Sequence, residues 1–425
     1  MADLFALSDK ILSEGVALEP VNRVNHQLSE LDNDVAMVEA FSHSVVFNTD
    51  DGLVVFDTSG AQGGKPVVEA IRGWSSEAFN SLVYTHGHID HVGGSGAFVA
   101  AEVDAGRDRP KVICHENVPA RFERYDMTNG YNMVVNTRQF GSVAGLSIGG
   151  QQKFLPADVA KPDETYRDTM AMNVGGLDFQ LHHAIGETDD HTWAWIPQHK
   201  AICAGDFFIW NFPNAGNPQK VQRYPLEWAV AMRAMAAQGA EMFLPAHGLP
   251  IRGAKQIKLV LEDVASALEK LVYDTVDMMN EGARLNDIVH AVSVDQTVLD
   301  KPYLRPLYDE PEFVVNNIWR LYGGWYDGNP ANLKPAKEQV LATEICQLSG
   351  GALTLANRAQ ELADSGDFRL ACHLVEMASL AEPTSQAVHG IRAEIYAARR
   401  KQESSLMAKG IFGFAASQSK ALFDK

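Results

Sequence analysis

The chain has 425 residues, 46% of them hydrophobic and 21% charged, which suits a globular protein with a real core and two or three domains. With 36 Lys+Arg against 54 Asp+Glu, the formal net charge is -18. That balance repels a nucleic-acid backbone and argues against a DNA or RNA partner, while one locally basic pocket can still admit a small anionic organic substrate.

Four scattered cysteines (Cys114, Cys203, Cys346, Cys372) form no C-x-x-C pair, against both a disulfide scaffold and a thiolate zinc finger. No apolar run reaches the length of a membrane helix, and Asp3 and Asp9 stand where a signal peptide carries basic residues. The expected address is the cytoplasm, with no membrane partner.

In chain order, β-branched and aromatic residues from Val35 to Thr49 predict a strand. Asp50-Asp51-Gly52 turns it into a second strand, Leu53 to Asp57. The run PVVEAIRGW reads as helix, and SLVYT (Ser81 to Thr85) as a buried strand. KVICH, GLDFQLHHA, HTWAWIP, KAICAGD and MFLPAHG repeat the strand pattern, with helical stretches between some of them. This alternation predicts a layered α/β architecture up to about residue 250. Beyond Gly253 a long amphipathic helix follows. The segment from Pro302 to Pro335, dense in Tyr, Trp, Gly and Pro, is too aromatic for a free linker. From about Ala336 the periodicity is helical, broken at Gly350-Gly351, Ser365-Gly366-Asp367 and Glu382-Pro383-Thr384. Small residues at Ala356, Ala359, Ala363 and Ala371 suggest helical hairpins, at most two of them.

The chemistry concentrates in Thr85-His86-Gly87-His88-Ile89-Asp90-His91-Val92-Gly93-Gly94, just after a buried strand. Three imidazoles and a carboxylate within six residues point to metal. His86 and His88, two apart, point onto one ion, and Asp90 and His91 turn toward a second. Ligands without thiolate suit Zn²⁺, with Fe or Mn as substitutes. Gly87, Gly93 and Gly94 are expected to supply permissive dihedrals.

The H-x-H-x-D-H run at His86, His88, Asp90 and His91 resembles the signature of the metallo-β-lactamase superfamily. The resemblance implies an αββα sandwich followed here by an all-α domain. It also implies later ligands: Asp206 in Ala204-Gly205-Asp206 as a bridging carboxylate, and His247 in Pro245-Ala246-His247-Gly248. Where many members have Gly-His, this chain has Gly186-Glu187, an exchange that resembles the alkyl sulfatases. The stretch LYGGWYDGNP (Leu321 to Pro330) is similar to the opening of their dimerisation domain. The implied division is an N-terminal extension (1–34), a catalytic domain (35–253), a helical and aromatic-rich connecting segment (254–335) and a helical dimerisation domain (336–425), giving a homodimer.

This sequence departs from those enzymes in three ways. It is too short for their additional sterol-carrier-like domain, it has Asp206 where they tend to have Glu, and only Arg223 of their sulfate-binding loop is matched within residues 213–223. The implied chemistry is hydrolysis of a sulfate ester by water activated between two Zn²⁺ per chain. His86, His88 and Glu187 would hold the first ion and Asp90, His91 and His247 the second, with Asp206 between them. The carboxylate at Glu187 would soften the first ion's Lewis acidity.

Arg223 is the candidate anion clamp, since its planar fork matches two ester oxygens. Lys220, Asn214, Asn217 and Gln219 are further candidate contacts to substrate. Asp90, His182 and His183 are the candidate catalytic groups, one of the two neighbouring histidines being expected to face the site. His115 reads as structural, and Asp189, Asp190 and His191 as orienting the Glu187 loop. Phe207, Phe208, Trp210, Phe212 and Trp228 read as core or as lining for an apolar tail. Alternatives are hydrolysis of a lactone, thioester or phosphate ester on the same centre, or a helical partner-binding protein with a vestigial metal site.

Overall fold

The residues from Val35 to Thr49 form two strands rather than the single one expected, β2 (Val35–Val38) and β3 (Ser44–Thr49). The break has a polar cause. Buried Glu39 pairs with Arg23, the Ala40 amide donates to His43 Nδ1, and Ser42 reaches His91. These groups take the chain out of the ladder. A further strand, β1 (Leu28–Asp32), pairs antiparallel with β2, and helix α1 (Leu4–Glu14) precedes it, capped by the Asp3 carboxylate on the Ala6 amide.

The computed structural model describes residues 3–141 and 152–422. The chain divides into two compact units, the first made of Met1–Asn132, Gln151–Ala283 and Asp287–Gly324. Its seven-stranded sheet runs β1 to β7 in sequence order, adding β4 (Gly52–Phe56), β5 (Phe79–Val83), β6 (Lys111–His115) and β7 (Glu164–Tyr166). Pairing is antiparallel through β4 and parallel from β4 to β7. The second sheet has the order β13-β12-β11-β10-β9-β8: β8 (Thr169–Val174), β9 (Leu177–His183), β10 (Thr192–Ile196), β11 (Ala201–Gly205), β12 (Met242–Pro245) and β13 (Ile251–Arg252). Only β11 and β12 are parallel in it.

Strand alternation assigns the two faces of the first sheet. Val45, Phe47, Val54 and Phe56 meet Phe179, Leu181 and Trp193 of the second sheet, with Phe47 edge-on to Phe179 at 5.5 Å. Val46, Leu53, Val55 and Leu82 pack instead with Val67, Val68 and Ile71 of α2 (Gly64–Trp74). After β5 come α3 (Ile89–Val92), α4 (Ser95–Asp104), α5 (Asn117–Met127) and α6 (Asn129–Phe140). The second sheet is covered by α7 (Pro225–Ala237) and the long α8 (Ala254–Asn280), whose Ile257, Leu261 and Val264 join the same core. This is the αββα sandwich. Each such buried aliphatic or aromatic side chain stabilises the fold by about 1.5–3 kcal/mol. The aromatic-rich stretch packs here too: Tyr303 and Leu304, then Val314, Val315 and Ile318 of α11 (Pro311–Gly323), enter that core after α9 (Leu285–Ala291) and α10 (Gln296–Leu299).

The second unit comprises Met133–Gly150, Arg284–Asn286 and Trp325–Lys425. It carries α12 (Pro330–Leu333), α13 (Glu338–Leu348), α14 (Ala352–Asp364), α15 (Phe368–Ala381), α16 (Gln386–Gln402) and α17 (Leu406–Lys420). Asp367, Ser385 and Ser405 cap three of these helices by accepting from Leu370, Val388 and Ala408. Ala356, Ala359, Ala371 and Ala378 are fully buried between them, so the backbones approach closely. Among the described residues, no helix is long and apolar enough to cross a membrane.

Candidate metal centre

The expected ligands all converge at the carboxyl ends of strands. The loop after β5 presents His86 and His88, and α3 presents Asp90 and His91. The β9–β10 turn carries Glu187, β11 ends beside Asp206, and β12 leads to His247. Two clusters result: His86, His88, Glu187 and Asp206, and Asp90, His91 and His247, each with its ligand atoms within 4.8 Å of one another.

His86 Nε2 lies 2.8 Å from His88 Nδ1, and Glu187 Oε2 is 3.5 and 3.4 Å from these nitrogens. Asp206 divides its oxygens between the clusters. Oδ2 is 4.0 Å from His86 Nε2, and Oδ1 is 3.3 Å from His91 Nε2 and 3.4 Å from His247 Nε2. Asp90 Oδ2 is 3.4 Å from His247 Nε2 and 3.7 Å from His91 Nε2.

Nitrogen and oxygen ligands around a tetrahedral zinc stand about 3.3 Å apart, given bonds of about 2.0–2.1 Å. Most of these separations match that spacing. His91 Nε2, Glu187 Oε2 and Asp206 Oδ1 are also buried without a hydrogen-bond partner, an arrangement too costly to leave uncompensated. The donor set therefore fits metal.

The surrounding residues fix the ligands. Asp57 accepts from the Thr85 amide at 2.8 Å, the Thr85 hydroxyl at 2.7 Å and His91 Nδ1 at 2.7 Å, which leaves Nε2 facing the cluster. Ser42 Oγ stands 3.0 Å from the same Nδ1. Asp190 accepts from Arg121 Nε at 2.5 Å, the Gly87 amide at 3.1 Å and the Thr188 hydroxyl at 2.5 Å, joining the Glu187 turn to the histidine loop. His191 Nε2 accepts from the Asp206 amide at 3.1 Å. The glycines act differently from expectation. Gly93 and Gly94 have ordinary φ of -65° and -86°, but a Cβ on Gly94 would lie 2.1 Å from the Thr58 carbonyl. Space, not dihedral freedom, requires them.

Electrostatics separate the imidazoles. Burial, then the neighbouring His91, His191 and His88, holds His86 well below the usual range. Burial lowers His91 as well, but Asp206, Asp57 and Asp90 outweigh it and raise it well above that range. Glu187 stays ionised because His88 and Arg223 outweigh the burial that would raise it.

The substrate-binding candidates divide. Arg223 is 1% exposed and donates to the Glu187 carbonyl, with its guanidinium 3.6 Å from Glu187 Oε1. Its Nε is buried without a hydrogen-bond partner. Asn214 donates to Glu187 Oε1. Lys220 feels Asp90 and Glu187, while burial first and Arg223 second push it down to about 8. Asn217 and Gln219 shape the same loop, Asn217 Oδ1 accepting from the Gln219 amide at 3.1 Å.

His182 and His183 make their contacts elsewhere. His182 stacks on Trp193 at 4.2 Å, and His183 stacks on His115 at 3.6 Å while its Nδ1 meets the His191 carbonyl at 2.9 Å. Phe207, Phe208, Trp210, Phe212 and Trp228 are all buried core. Tyr308, which sequence reasoning did not single out, sits in the field of the site: burial, then Glu187 and Asp90, raises its hydroxyl. Asp57 was also passed over, although a carboxylate ending the apolar run LVVFD was a visible signal.

Comparison with known proteins accords with this geometry. Residues 38–247 match the model of the metallo-β-lactamase superfamily, and residues 284–421 match that of alkyl sulfatase dimerisation. The chain carries a metallo-β-lactamase domain followed by an alkyl sulfatase dimerisation domain. It is 25% identical over 365 residues to a linear primary-alkylsulfatase of a Pseudomonas species, covering 81% of this chain and 68% of that protein. An (R)-specific secondary-alkylsulfatase of Pseudomonas is 24% identical, covering 83% and 56%, and the alkyl/aryl-sulfatase BDS1 of Saccharomyces cerevisiae is 22% identical, covering 87% and 58%. The chain thus spans little more than half of these last two. The fold superposes on the stereoselective inverting sec-alkylsulfatase Pisa1 from Pseudomonas with a TM-score of 0.82 and 21% identity, covering 93% of this chain and 66% of that one.

Proposed function

We propose that this protein hydrolyses sulfate esters of an organic alcohol at a two-zinc centre, as a homodimer through its helical unit. The observation that carries the reading is Asp206, whose two oxygens face separate ligand clusters in the field of two cations, buried Arg223 and half-buried Lys220. His86, His88 and Glu187 would hold the first zinc and Asp90, His91 and His247 the second, with Asp206 shared. Zinc there supplies Lewis acidity and a water acidic enough to attack near neutral pH.

The chain's own groups do the rest. Asp57 holds His91 in the tautomer that leaves Nε2 free, and Asp190 keeps the Glu187 turn against the histidine loop. Arg223 presents Nε to an ester oxygen, and the anionic head group is favoured over a neutral one by the two cations. The alkylsulfatase relatives support the sulfate ester among the anionic choices.

Dodecyl sulfate, an acyl lactone and nitrophenyl phosphate should be offered to the purified protein alongside elemental analysis. Sulfate release that stops with a chelator and returns with zinc is expected. Turnover of the lactone or the phosphate with no sulfate release would overturn the sulfatase reading.

A further inference from the structure

Among the described residues, the loop that carries Asn214 and Arg223 pairs with no strand, yet residues 212–217 and Arg223 are buried. Such a segment must find partners for its peptide groups elsewhere. It finds them in residues 305–317, which lie in the same unit and inside the stretch matched by the dimerisation model. The Phe212 amide donates to the Arg305 carbonyl at 3.0 Å, and the Gly216 amide to buried Asp309 at 2.6 Å. At Gly216 the contact is backbone to backbone: a Cβ there would lie 2.2 Å from the Val314 nitrogen.

At Arg223 the partner is one side chain. Asn317 of α11, 4% exposed, accepts from the Arg223 amide at 3.3 Å and donates to the Arg223 carbonyl at 2.9 Å. Its carboxamide supplies the donor and the acceptor that a neighbouring strand would supply. Gln222 Nε2 and Arg320 fix the same Asn317 oxygen at 3.0 Å each, so the amide has one orientation. Arg223 is thereby held at its main chain by α11 and at its guanidinium by Glu187, with Nε left for a ligand.

We propose that Asn317 is a positioning residue for anion recognition, setting the direction of the Arg223 guanidinium by pairing with both of that residue's backbone groups. This rests on the sulfate-ester reading above. A side chain that acts only through Arg223 loses its effect when Arg223 is gone, whereas one that merely stabilises the fold does not.

The test is a double-mutant cycle on the full-length, zinc-loaded protein. It reads kcat/KM for dodecyl sulfate, inhibition by inorganic sulfate, and zinc per chain. Asn317→Ala should lower kcat/KM and weaken sulfate inhibition by about tenfold in the parent, the scale of losing one to two buried hydrogen bonds, and by less than about twofold in the Arg223→Ala background. Zinc content should stay the same throughout. Asn317→Asp is the same size and keeps an oxygen that accepts from the Arg223 amide, but it replaces the donor to the Arg223 carbonyl by an acceptor and adds a charge beside Arg320. It should lower both readouts, again only when Arg223 is present, and it serves if the alanine variant does not fold. Equal losses with and without Arg223, or no loss in either variant, would overturn the proposal. A parent that binds zinc but neither hydrolyses dodecyl sulfate nor is inhibited by sulfate overturns the sulfatase reading itself, and the proposal with it.

Discussion

One buried polar network in each unit is satisfied to a different degree, although His389 Nε2, on a ring that meets Ser419 of the helical network, also lacks a hydrogen-bond partner. In the helical unit, the buried Arg392 is fully engaged: it donates to Glu376 at 2.9 and 3.1 Å, to the Ala415 carbonyl at 2.8 Å and to Ser419 at 2.8 Å. In the sandwich unit His91 Nε2, Glu187 Oε2, Asp206 Oδ1 and Arg223 Nε are buried around one place and left without hydrogen-bond partners. Networks that close on themselves specify a fold, while those left open toward a common point are waiting for something from outside. Fold alone would not have separated these cases, because both units bury charge.

The comparison breaks if ligand loss in the sandwich behaves like an ordinary packing defect. Asp206→Ala removes the carboxylate facing both clusters. Loss of at least one metal ion per chain and near-complete loss of turnover are expected, read by elemental analysis and by sulfate release. Full metal occupancy at an unchanged rate would show that Asp206 does not join the clusters.

Arg223→Ala should be next in size, lowering kcat/KM for an alkyl sulfate at least about 100-fold, equivalent to roughly 2.7 kcal/mol. Arg223→Lys keeps the charge without the fork and should fall between. A neutral ester turned over by the parent should suffer far less. Parallel loss on both substrates would mean that the guanidinium, which also donates to the Glu187 carbonyl, serves the first cluster rather than the anion.

In the closed network the effect should be on stability alone. Arg392→Ala leaves the Glu376 carboxylate and the Ala415 carbonyl short of a donor. Urea unfolding should show a loss of about 1–3 kcal/mol, with metal content and kcat/KM unchanged. A change in kcat/KM would tie this network to the chemistry.

How much of this was legible in sequence follows from chain distance. His86, His88, Asp90 and His91 stand within six residues, so their pattern was visible at once. Glu187, Asp206 and His247 came through a resemblance and met the first four in space. Asp190, expected from the sequence to orient the Glu187 loop, does join it to the histidine loop, but the more distant support escaped. Ser42 reaches His91 across 49 residues, and Asn317 reaches Arg223 across 94; single asparagines and serines carry no spacing signal. His182 and His183 became candidates through their closeness to Glu187 in the chain. Along β9 they serve the stacking of Trp193 and His115, because strand residues near a turn still obey the sheet's alternation. The break in the expected long strand was missed for a similar reason, since β propensity does not register a buried Glu39 or a His43 that bonds its own turn.

Asp309 affects stability in one pH window only and gives the most specific test of the wall behind the Arg223 loop. It is 0% exposed, and burial pushes its carboxyl up to about 7 from 3.8, against the pull of the Gly216 and Glu310 amides and the Arg223 charge. A folded-state value above the unfolded one means that the native protein binds the proton more tightly. Its contribution to stability is therefore complete below about pH 3.8 and is lost as pH rises through about 7. Within that window each pH unit costs up to about 1.4 kcal/mol, and above it the loss levels off. Asp309→Asn cannot ionise, yet its carbonyl oxygen can still accept from the Gly216 amide. The difference in unfolding free energy between the variant and the parent should therefore grow in the variant's favour from about pH 4 to 7 and then stay flat. A difference that is constant over that range would show that Asp309 is ionised throughout, held by the Gly216 and Glu310 amides, so that the loop is anchored by a charge rather than by a neutral acid.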